Sequence, residues 1–313
     1  MNNQSTISDF LLFGFSEIRE IQILYFLAFL VLYLAILIGN LIIIFAIIFN
    51  HQLHTPMYLF LLSLAIQDLM SASVIVPKSM ANILMNTRHI SYLGCVCQVF
   101  FFVLSMGSDF WILPVMAYDR YVAICNPLQY ERIMNKQVCI YMILAVWVSG
   151  LLSALLHTSF TFAAPLCSNI IKQFFCEIPQ LLKLTCNGLN QNEIKLIIVI
   201  CIIGIGCFFF IIITYVSIFS AVLKIRSLEG RKKAVSTCLP HIIVVSIFLF
   251  CIFVAHLRPP SGSPDLITTV LYSIAPPLLN PIIYSLRNKD IKVALSKLLN
   301  MSELSKKISL SMT

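Results

Sequence analysis

Two charged residues stand side by side at the end of a long apolar segment. Asp119 and Arg120 follow the apolar stretch 93–118, where a helix embedded in hydrocarbon should meet water. Charge at that depth is costly unless it is paired or used, because the membrane interior does not solvate it. A guanidinium beside a carboxylate forms a strong charge-assisted pair. The pair is therefore predicted to be either a topology anchor or a switch that can release the arginine toward a partner.

Four more polar residues lie well inside apolar segments: Asn40, Asp68, Asp109 and Asn280. Each should face the interior of the protein, because facing lipid would cost several kcal/mol. The two carboxylates leave open an ion path, as in a transporter or channel. No HExxH, GxSxG or His/Cys metal spacing occurs in the sequence, so we predict no enzyme, metal or cofactor.

The elements that position these residues follow from the composition. Apolar residues make up 59% of the 313-residue chain and charged residues 11%, which excludes an ordinary soluble domain. Each apolar stretch exceeds the roughly 20 residues that cross a bilayer as a helix, and none alternates as a barrel strand would. We predict an all-α membrane protein, one domain over 1–313 with seven transmembrane helices. The stretches are 22–49, 57–80, 93–118, 139–162, 193–223, 236–257 and 266–286.

The basic residues predict the orientation in the membrane. Of the 21 Lys and Arg residues, 14 lie on one side of the predicted membrane. They are in or beside the second and third loops of that side, or in the C-terminal tail. The positive-inside rule then places residues 1–21 outside and the tail 287–313 in the cytoplasm. In that tail, Ile291, Ala294, Leu295 and Leu298 share one helical face, which predicts a short amphipathic helix on the inner leaflet. The net charge of +8 indicates contact with anionic lipid rather than with nucleic acid.

Two covalent features belong to the outer side. Cys95 begins the third helix, and Cys167, Cys176 and Cys186 lie in the long loop before the fifth. Four thiols on an oxidising side allow three pairings, and the spacing alone leaves all three open. Asn3 begins the sequon Asn3-Gln4-Ser5, a predicted glycosylation site, although such a short motif also arises by chance.

Several motifs occur in order along the seven segments. They are Gly39-Asn40, LHTPMY at 53–58, MAYDRYVAIC at 116–125, Trp147 with Gly150, KAVSTC at 233–238 and PLLNPIIYSLRNK at 277–289. Together they resemble the class II, tetrapod-type olfactory receptors among the rhodopsin-like G-protein-coupled receptors. The resemblance implies a plasma-membrane odorant receptor that activates a stimulatory, olfactory-type heterotrimeric G protein and raises cyclic AMP. The alternatives are a chemosensory receptor outside olfaction and an ion or solute transporter.

The resemblance also implies roles for single residues. It pairs Cys95 with Cys176 and Cys167 with Cys186. The proline in the seventh helix removes one backbone hydrogen bond, and we expect Asn280 to satisfy the resulting hinge. Asp109 stands where the family usually has glutamate, so a water network around Asp68 is expected rather than a sodium site. The expected coupling and switch residues are Asp119, Arg120, Tyr121, Tyr215, His241, Asn280, Pro281 and Tyr284.

The ligand site is expected in the outer third of the bundle, from helix faces and from the family's general location. Simple packing is the alternative for every such apolar stripe. The cavity should be small, apolar and suited to volatile molecules, with His256, Ser273 and Ser108 as polar anchors. Phe248-Leu249-Phe250 departs from the family's usual Phe-Tyr-Gly. The expected lining is Phe102, Val103, Met106, Phe110, Val199, Ile203, Leu249, Phe253, His256 and Ser273.

Overall fold

The computed structural model describes residues 8–186, 191–256, 266–287, 291–293 and 296, with backbone alone at 252–256, 266–267 and 285–287. Within these ranges seven long helices form the bundle that the sequence predicts. They are α1 (Arg19–Phe49), α2 (Pro56–Leu84), α3 (Tyr92–Cys125), α4 (Lys136–Ala163), α5 (Gln191–Lys224), α6 (Leu228–His256) and α7 (Leu266–Arg287). Asn3 and most of the expected C-terminal helix lie outside the described residues, although 291–293 are helical and Ile291 is buried.

The helices form because hydrocarbon offers no partner for a free backbone amide or carbonyl, and a helix satisfies these groups internally. By length and composition, α1 to α6 can each cross a membrane. Large side chains on the outside of α5, including Ile202, Ile213 and Phe219, are exposed and would face lipid. The polar side chains of α7, such as Ser273 and Asn280, are buried instead.

Helix α3 occupies the centre of the bundle. It packs against α2, α4, α5 and α6, while α1 and α7 close the ring by contacting each other. The approach to α4 is close because Gly150 has no side chain. A Cβ at Gly150 would lie 2.1 Å from the Ser108 hydroxyl and 2.9 Å from the Leu104 carbonyl oxygen. Residues near the middle of α3 are thereby held against α4.

A small sheet, which the sequence does not predict, covers the cysteine-rich end of the bundle. Strand β1 (Asp9–Leu12) pairs antiparallel with β2 (His89–Ser91) and parallel with β3 (Ile170–Ile171). The segment before α1 therefore forms the middle strand, with Phe10 fully buried beneath it. Short strands from distant parts of the chain carry no strong local signal.

The loop between α4 and α5, called the lid below, is held by two disulfides, and both predicted pairings are confirmed. Cys95 of α3 is bonded to Cys176 in the loop between α4 and α5, and Cys167 is bonded to Cys186 within that loop. The backbone amide of Cys176 also donates to the side-chain carbonyl of Gln98, at 2.8 Å. The loop is thus fixed to α3 by a covalent bond and a hydrogen bond within one helical turn.

Candidate functional site

A cavity of about 500 Å³ lies between α3, α4 and α5, with α6 and α7 on its remaining side. This volume is in the range of small-molecule sites. Most of the wall is apolar, and it includes six of the residues expected from the sequence. These are Phe102, Val103, Met106, Phe110, Val199 and Ile203.

The wall differs from the expectation on α6 and α7. Leu249 is not part of the lining, and Phe248 and Cys251 line the cavity from α6 instead. One residue along a helix turns the side chain by about 100°, so an error of one position moves it to another face. Leu249 is correspondingly more than a third exposed.

Ser273 is also off the wall. Its hydroxyl is buried and donates to the carbonyl oxygen of Thr269, at 2.6 Å, while Tyr272 and Pro276 line the cavity from α7. The third expected anchor, Ser108, is fully buried and packs where α3 meets Gly150 rather than on the cavity wall. The side chains of Phe253 and His256 lie outside the described residues.

Helix α4 contributes a polar stripe that the sequence analysis missed. Ser149, Ser153 and His157 all line the cavity. They recur every four residues, the spacing that places side chains on one helical face. That spacing was the available signal, whereas the expected lining came from α3, α5, α6 and α7 alone.

At its outer end this stripe meets a buried carboxylate. Nδ1 of His157 lies 2.6 Å from Oε1 of Glu193 on α5. Glu193 is fully buried, and its second oxygen, Oε2, has no hydrogen-bond partner among the described residues. A buried charge is normally paired, so the carboxylate fixes the orientation of the imidazole ring.

The lid contacts the same cavity. Tyr272, on the wall, donates from its hydroxyl to Oε2 of Glu177, which directly follows the disulfide-bonded Cys176. Phe102 packs edge to face on Phe175 of the lid, with ring centroids 5.5 Å apart. The cavity wall is therefore in direct contact with the loop that a disulfide attaches to α3.

At the opposite end of α3, Asp119 and Arg120 form the expected pair and are both buried. Nε of Arg120 donates to Oδ2 of Asp119 at 2.9 Å, and Nη2 donates to the same oxygen. The other oxygen, Oδ1, accepts from the hydroxyl of Tyr130 at 2.8 Å. Tyr130 begins the short helix Tyr130–Ile133 between α3 and α4 and was not expected in the site.

The charge state of Tyr130 is the one that donation to Asp119 requires. Burial and the neighbouring Asp119 carboxylate both raise the pKa of Tyr130 above its ordinary value, because each disfavours a phenolate. The phenol therefore stays protonated near neutral pH and donates to Asp119. Both oxygens of that carboxylate are thus occupied while Arg120 is held.

Four of the other expected switch residues, Tyr121, Tyr215, His241 and Tyr284, lie at the same end of the bundle. The hydroxyl of Tyr215 on α5 lies 2.5 Å from Nδ1 of His241 on α6, and their rings stack. Tyr121 packs against the cluster that joins α5 and α6 through Ile218 and Cys238. Tyr284 on α7 is fully buried within electrostatic range of Arg120.

The internal polar residues also come together. Nδ2 of Asn280 on α7 donates to both carboxylate oxygens of Asp68 on α2, at 3.1 and 3.0 Å. Asp109 on α3 interacts electrostatically with Asp68, and its Oδ1 has no hydrogen-bond partner among the described residues. The hydrogen bonds join α2 to α7 at the middle of the bundle, and Asp109 places a second carboxyl group of α3 near them.

The expectation for the hinge in α7 was wrong about the residue involved. Pro281 has no amide to donate to the carbonyl of Pro277, four residues earlier. That carbonyl accepts instead from Nδ2 of Asn40 on α1, at 3.0 Å, while Asn280 is bonded to Asp68. Asn40 therefore replaces the backbone donor that the proline removes.

Among the described residues, no group of three His, Cys, Asp or Glu side chains is placed to hold a metal ion. The arrangement is instead a ligand-sized cavity beside the middle of α3 and a closed ion pair near the C-terminal end of the same helix.

Comparison with known proteins agrees with this arrangement. A family model described as olfactory receptor matches residues 29–302. The chain is 48% identical over 308 residues to olfactory receptor 14J1 of Homo sapiens, which covers 97% of this chain and 96% of that protein. It is 44% identical over 306 residues to olfactory receptor 1G1 of Gorilla gorilla gorilla, covering 96% and 98%. Squid rhodopsin shares the fold, with a TM-score of 0.71, 18% identity and coverage of 92% and 88%.

Proposed function

The chain belongs to the olfactory receptor family, and from that premise we propose how it signals. Members are receptors rather than enzymes, and membership makes this chain a multi-pass membrane receptor for odorants that couples to a heterotrimeric G protein. The proposed G protein is the stimulatory, olfactory type, so that odorant binding raises cyclic AMP.

The proposed ligand site is the 500 Å³ cavity. Its wall of Phe102, Val103, Met106, Val199 and Ile203 is suited to a small apolar molecule, because burying apolar surface drives such binding. Met106 can change rotamer at little cost, which favours a broad ligand range. Phe253 and His256 remain proposed contacts from α6.

The proposed coupling site is the buried Asp119–Arg120 pair with Tyr121, Tyr215, His241 and Tyr284 around it. In the arrangement described here, Arg120 is held by Asp119 and is 8% exposed, so it cannot reach a partner protein. Activation requires that the pair open and that α6 move away from α3. Each odorant acts by binding the open bundle more tightly than the closed one.

One observation carries the proposal: a single helix, α3, bears both sites. Met106 lines the cavity, and Arg120 lies near the C-terminal end of the same helix. At 1.5 Å per residue the two positions are about 21 Å apart along the axis. Asp109, between them, lies within electrostatic range of Asp68, which accepts from Asn280. We propose that ordered water completes the hydrogen bonds of this network.

The proposed orientation places the N-terminus outside the cell and the C-terminus in the cytoplasm, with Asn3 glycosylated. It is supported by the lysines and arginines near the Arg120 end and by the disulfides at the other end. Basic residues of the tail would contact anionic lipid of the inner leaflet.

The experiment uses the full chain with an epitope tag at each end, expressed in cells that contain the olfactory G protein. An antibody should reach the N-terminal tag in intact cells and the C-terminal tag only after permeabilisation. Members of an odorant panel should then raise a cyclic AMP reporter above untransfected cells. A C-terminal tag that is accessible in intact cells, or odorant binding without any cyclic AMP, would contradict the proposal.

A further inference from the structure

We propose that α4 supplies the polar side of the cavity, and that the cavity selects odorants bearing a hydroxyl group, which donates its proton to Nε2 of His157. This inference deepens the proposed function, since it rests on the cavity being the odorant site. It assigns a residue and a ligand class that neither the motifs nor the expected lining indicate.

The first support is the geometry of the wall. Ser149, Ser153 and His157 lie on one face of α4 and line the cavity together with apolar residues such as Val103 and Ile203. A ligand in this cavity therefore meets a few polar groups on α4 within a wall that is otherwise largely hydrocarbon. That division suits a molecule with one polar group on an apolar skeleton.

The second support is the buried carboxylate behind the imidazole. Glu193 is fully buried, and its Oε1 lies 2.6 Å from Nδ1 of His157. We infer that Glu193 is an acceptor in this contact, as an ionised carboxylate can only accept a hydrogen bond, and that Nδ1 of His157 carries the proton. In the neutral ring that we propose, Nε2 carries a lone pair, which accepts from a donor and repels another acceptor.

The third support concerns what else could use that lone pair. The His157 ring is on the cavity wall, and among the described residues its hydrogen bond is the one made by Nδ1. Tyr272 is the other large polar side chain on the wall, and its hydroxyl donates to Glu177 of the lid. Nε2 of His157 is thus the strongest acceptor offered to a ligand.

A ligand hydroxyl is the chemical group that fits. An alcohol or phenol can donate to Nε2 of His157 and at the same time accept from the hydroxyl of Ser153, one helical turn away. An ether, aldehyde or ketone of the same skeleton has an acceptor alone and would place it against the His157 lone pair. The apolar wall cannot distinguish these compounds, because their hydrocarbon parts are the same.

The test measures binding separately from signalling. The full-length receptor is reconstituted in lipid nanodiscs, and ligand affinity is read from the shift in its thermal unfolding. The probes are matched sets with one carbon skeleton: the primary alcohol, its methyl ether, the aldehyde and the parent hydrocarbon. The wild type should bind alcohols about five- to tenfold more tightly than their ethers and aldehydes, the effect of one net hydrogen bond.

Replacement of the imidazole should remove this preference. In His157→Phe, alcohols should lose about five- to tenfold in affinity while ethers and hydrocarbons change less than about threefold. Because this variant leaves the Glu193 carboxylate buried without its partner, His157→Phe combined with Glu193→Gln provides the same test without a buried charge. Glu193→Gln alone keeps an oxygen acceptor for Nδ1 and should keep the alcohol preference.

Ser159→Ala is the matched control, because Ser159 is also on α4 but is exposed and off the cavity. Equal binding of alcohols and ethers by the wild type, or a preference for aldehydes, would overturn the inference. So would an equal loss for alcohols and ethers in both His157 variants, since a purely structural His157–Glu193 tie would affect all ligands alike. Alcohol-selective binding without cyclic AMP would contradict the proposed coupling and leave this inference standing.

Discussion

Nδ2 of Asn40 on α1 donates a hydrogen bond of 3.0 Å to the carbonyl oxygen of Pro277 on α7, the carbonyl that Pro281 leaves without a backbone donor. The same amide also donates to Ile36 within α1, at 3.0 Å. The contact ties the first helix to the last at the proline of α7. It lets α7 carry Pro281 in mid-helix without leaving the Pro277 carbonyl unpaired in the membrane.

This relationship predicts a dependence between two substitutions. Asn40→Leu should destabilise the receptor by about 1–3 kcal/mol, because it leaves the Pro277 carbonyl buried and unpaired. In a Pro281→Ala background the new backbone amide can donate to that carbonyl, so Asn40→Leu should cost clearly less. The measurement is thermal unfolding in nanodiscs over the double-mutant cycle. An equal cost in both backgrounds would show that Asn40 does not substitute for the missing amide.

The neighbouring glycine predicts a packing effect. A Cβ at Gly39 would lie 3.0 Å from Cγ and 3.1 Å from Cβ of Pro281, so Gly39→Ala should push α1 away from α7 and cost about 1–3 kcal/mol. Gly206 on α5 has nothing within 4 Å of the corresponding position. Gly206→Ala should therefore be neutral or stabilising by up to about 1 kcal/mol, through helix propensity. Similar unfolding temperatures for the two variants would argue against a tight contact between α1 and α7.

Much of the fold follows from apolar length alone. Each long helix includes nearly the whole stretch predicted for it, because a hydrocarbon environment leaves the backbone few alternatives. The ends of the helices are harder to predict where polar residues continue the helix. Helix α3 was predicted to stop at residue 118 and continues to Cys125, since Asp119 and Arg120 neutralise each other inside the helix.

Only part of the site could be predicted from the sequence. A helical face on α3 correctly placed Phe102, Val103 and Met106, whose spacing is informative. Contacts between distant segments left no such signal: Tyr130 meets Asp119 from a loop, and Glu193 meets His157 from another helix. On α6, a nearly uniform apolar sequence does not show which face is inward, and Leu249 was chosen where Phe248 lines the cavity.

The hydrogen bond from Tyr130 to Asp119 leads to a prediction for basal signalling, the cyclic AMP level without ligand. Tyr130→Phe removes the 2.8 Å donation to Asp119, so the Asp119–Arg120 pair should open more readily and basal cyclic AMP should rise several-fold. Because burial and Asp119 raise the pKa of Tyr130, the phenol stays protonated, and the wild-type basal level should not change between about pH 6 and 8.

Tyr141→Phe is the control for this prediction, because the Tyr141 side chain is 69% exposed on α4. It should leave the basal signal at the wild-type level. A Tyr130→Phe receptor with unchanged basal cyclic AMP at equal surface expression would rule out a restraining role for the hydroxyl.

The cysteines of α3 provide a matched pair. Cys95→Ser breaks the bond to Cys176 and should strongly reduce delivery to the cell surface, because the lid loses its covalent attachment to α3. Cys97, two residues later, is a free and exposed thiol, and Cys97→Ser should be delivered normally. Surface labelling by flow cytometry separates the two outcomes, and normal delivery of Cys95→Ser would mean that the disulfide is dispensable for folding.

The central claim is that odorant binding beside the middle of α3 is transmitted through Arg120 near the C-terminal end of that helix, and Arg120→Ala tests it most directly. The measurement compares odorant affinity and cyclic AMP for this variant and for Arg132→Ala, an exposed arginine of the adjacent loop, at matched surface expression. The account predicts that Arg120→Ala still binds odorant but raises no cyclic AMP, while Arg132→Ala retains its response. An odorant-driven cyclic AMP response of wild-type size in Arg120→Ala would contradict it.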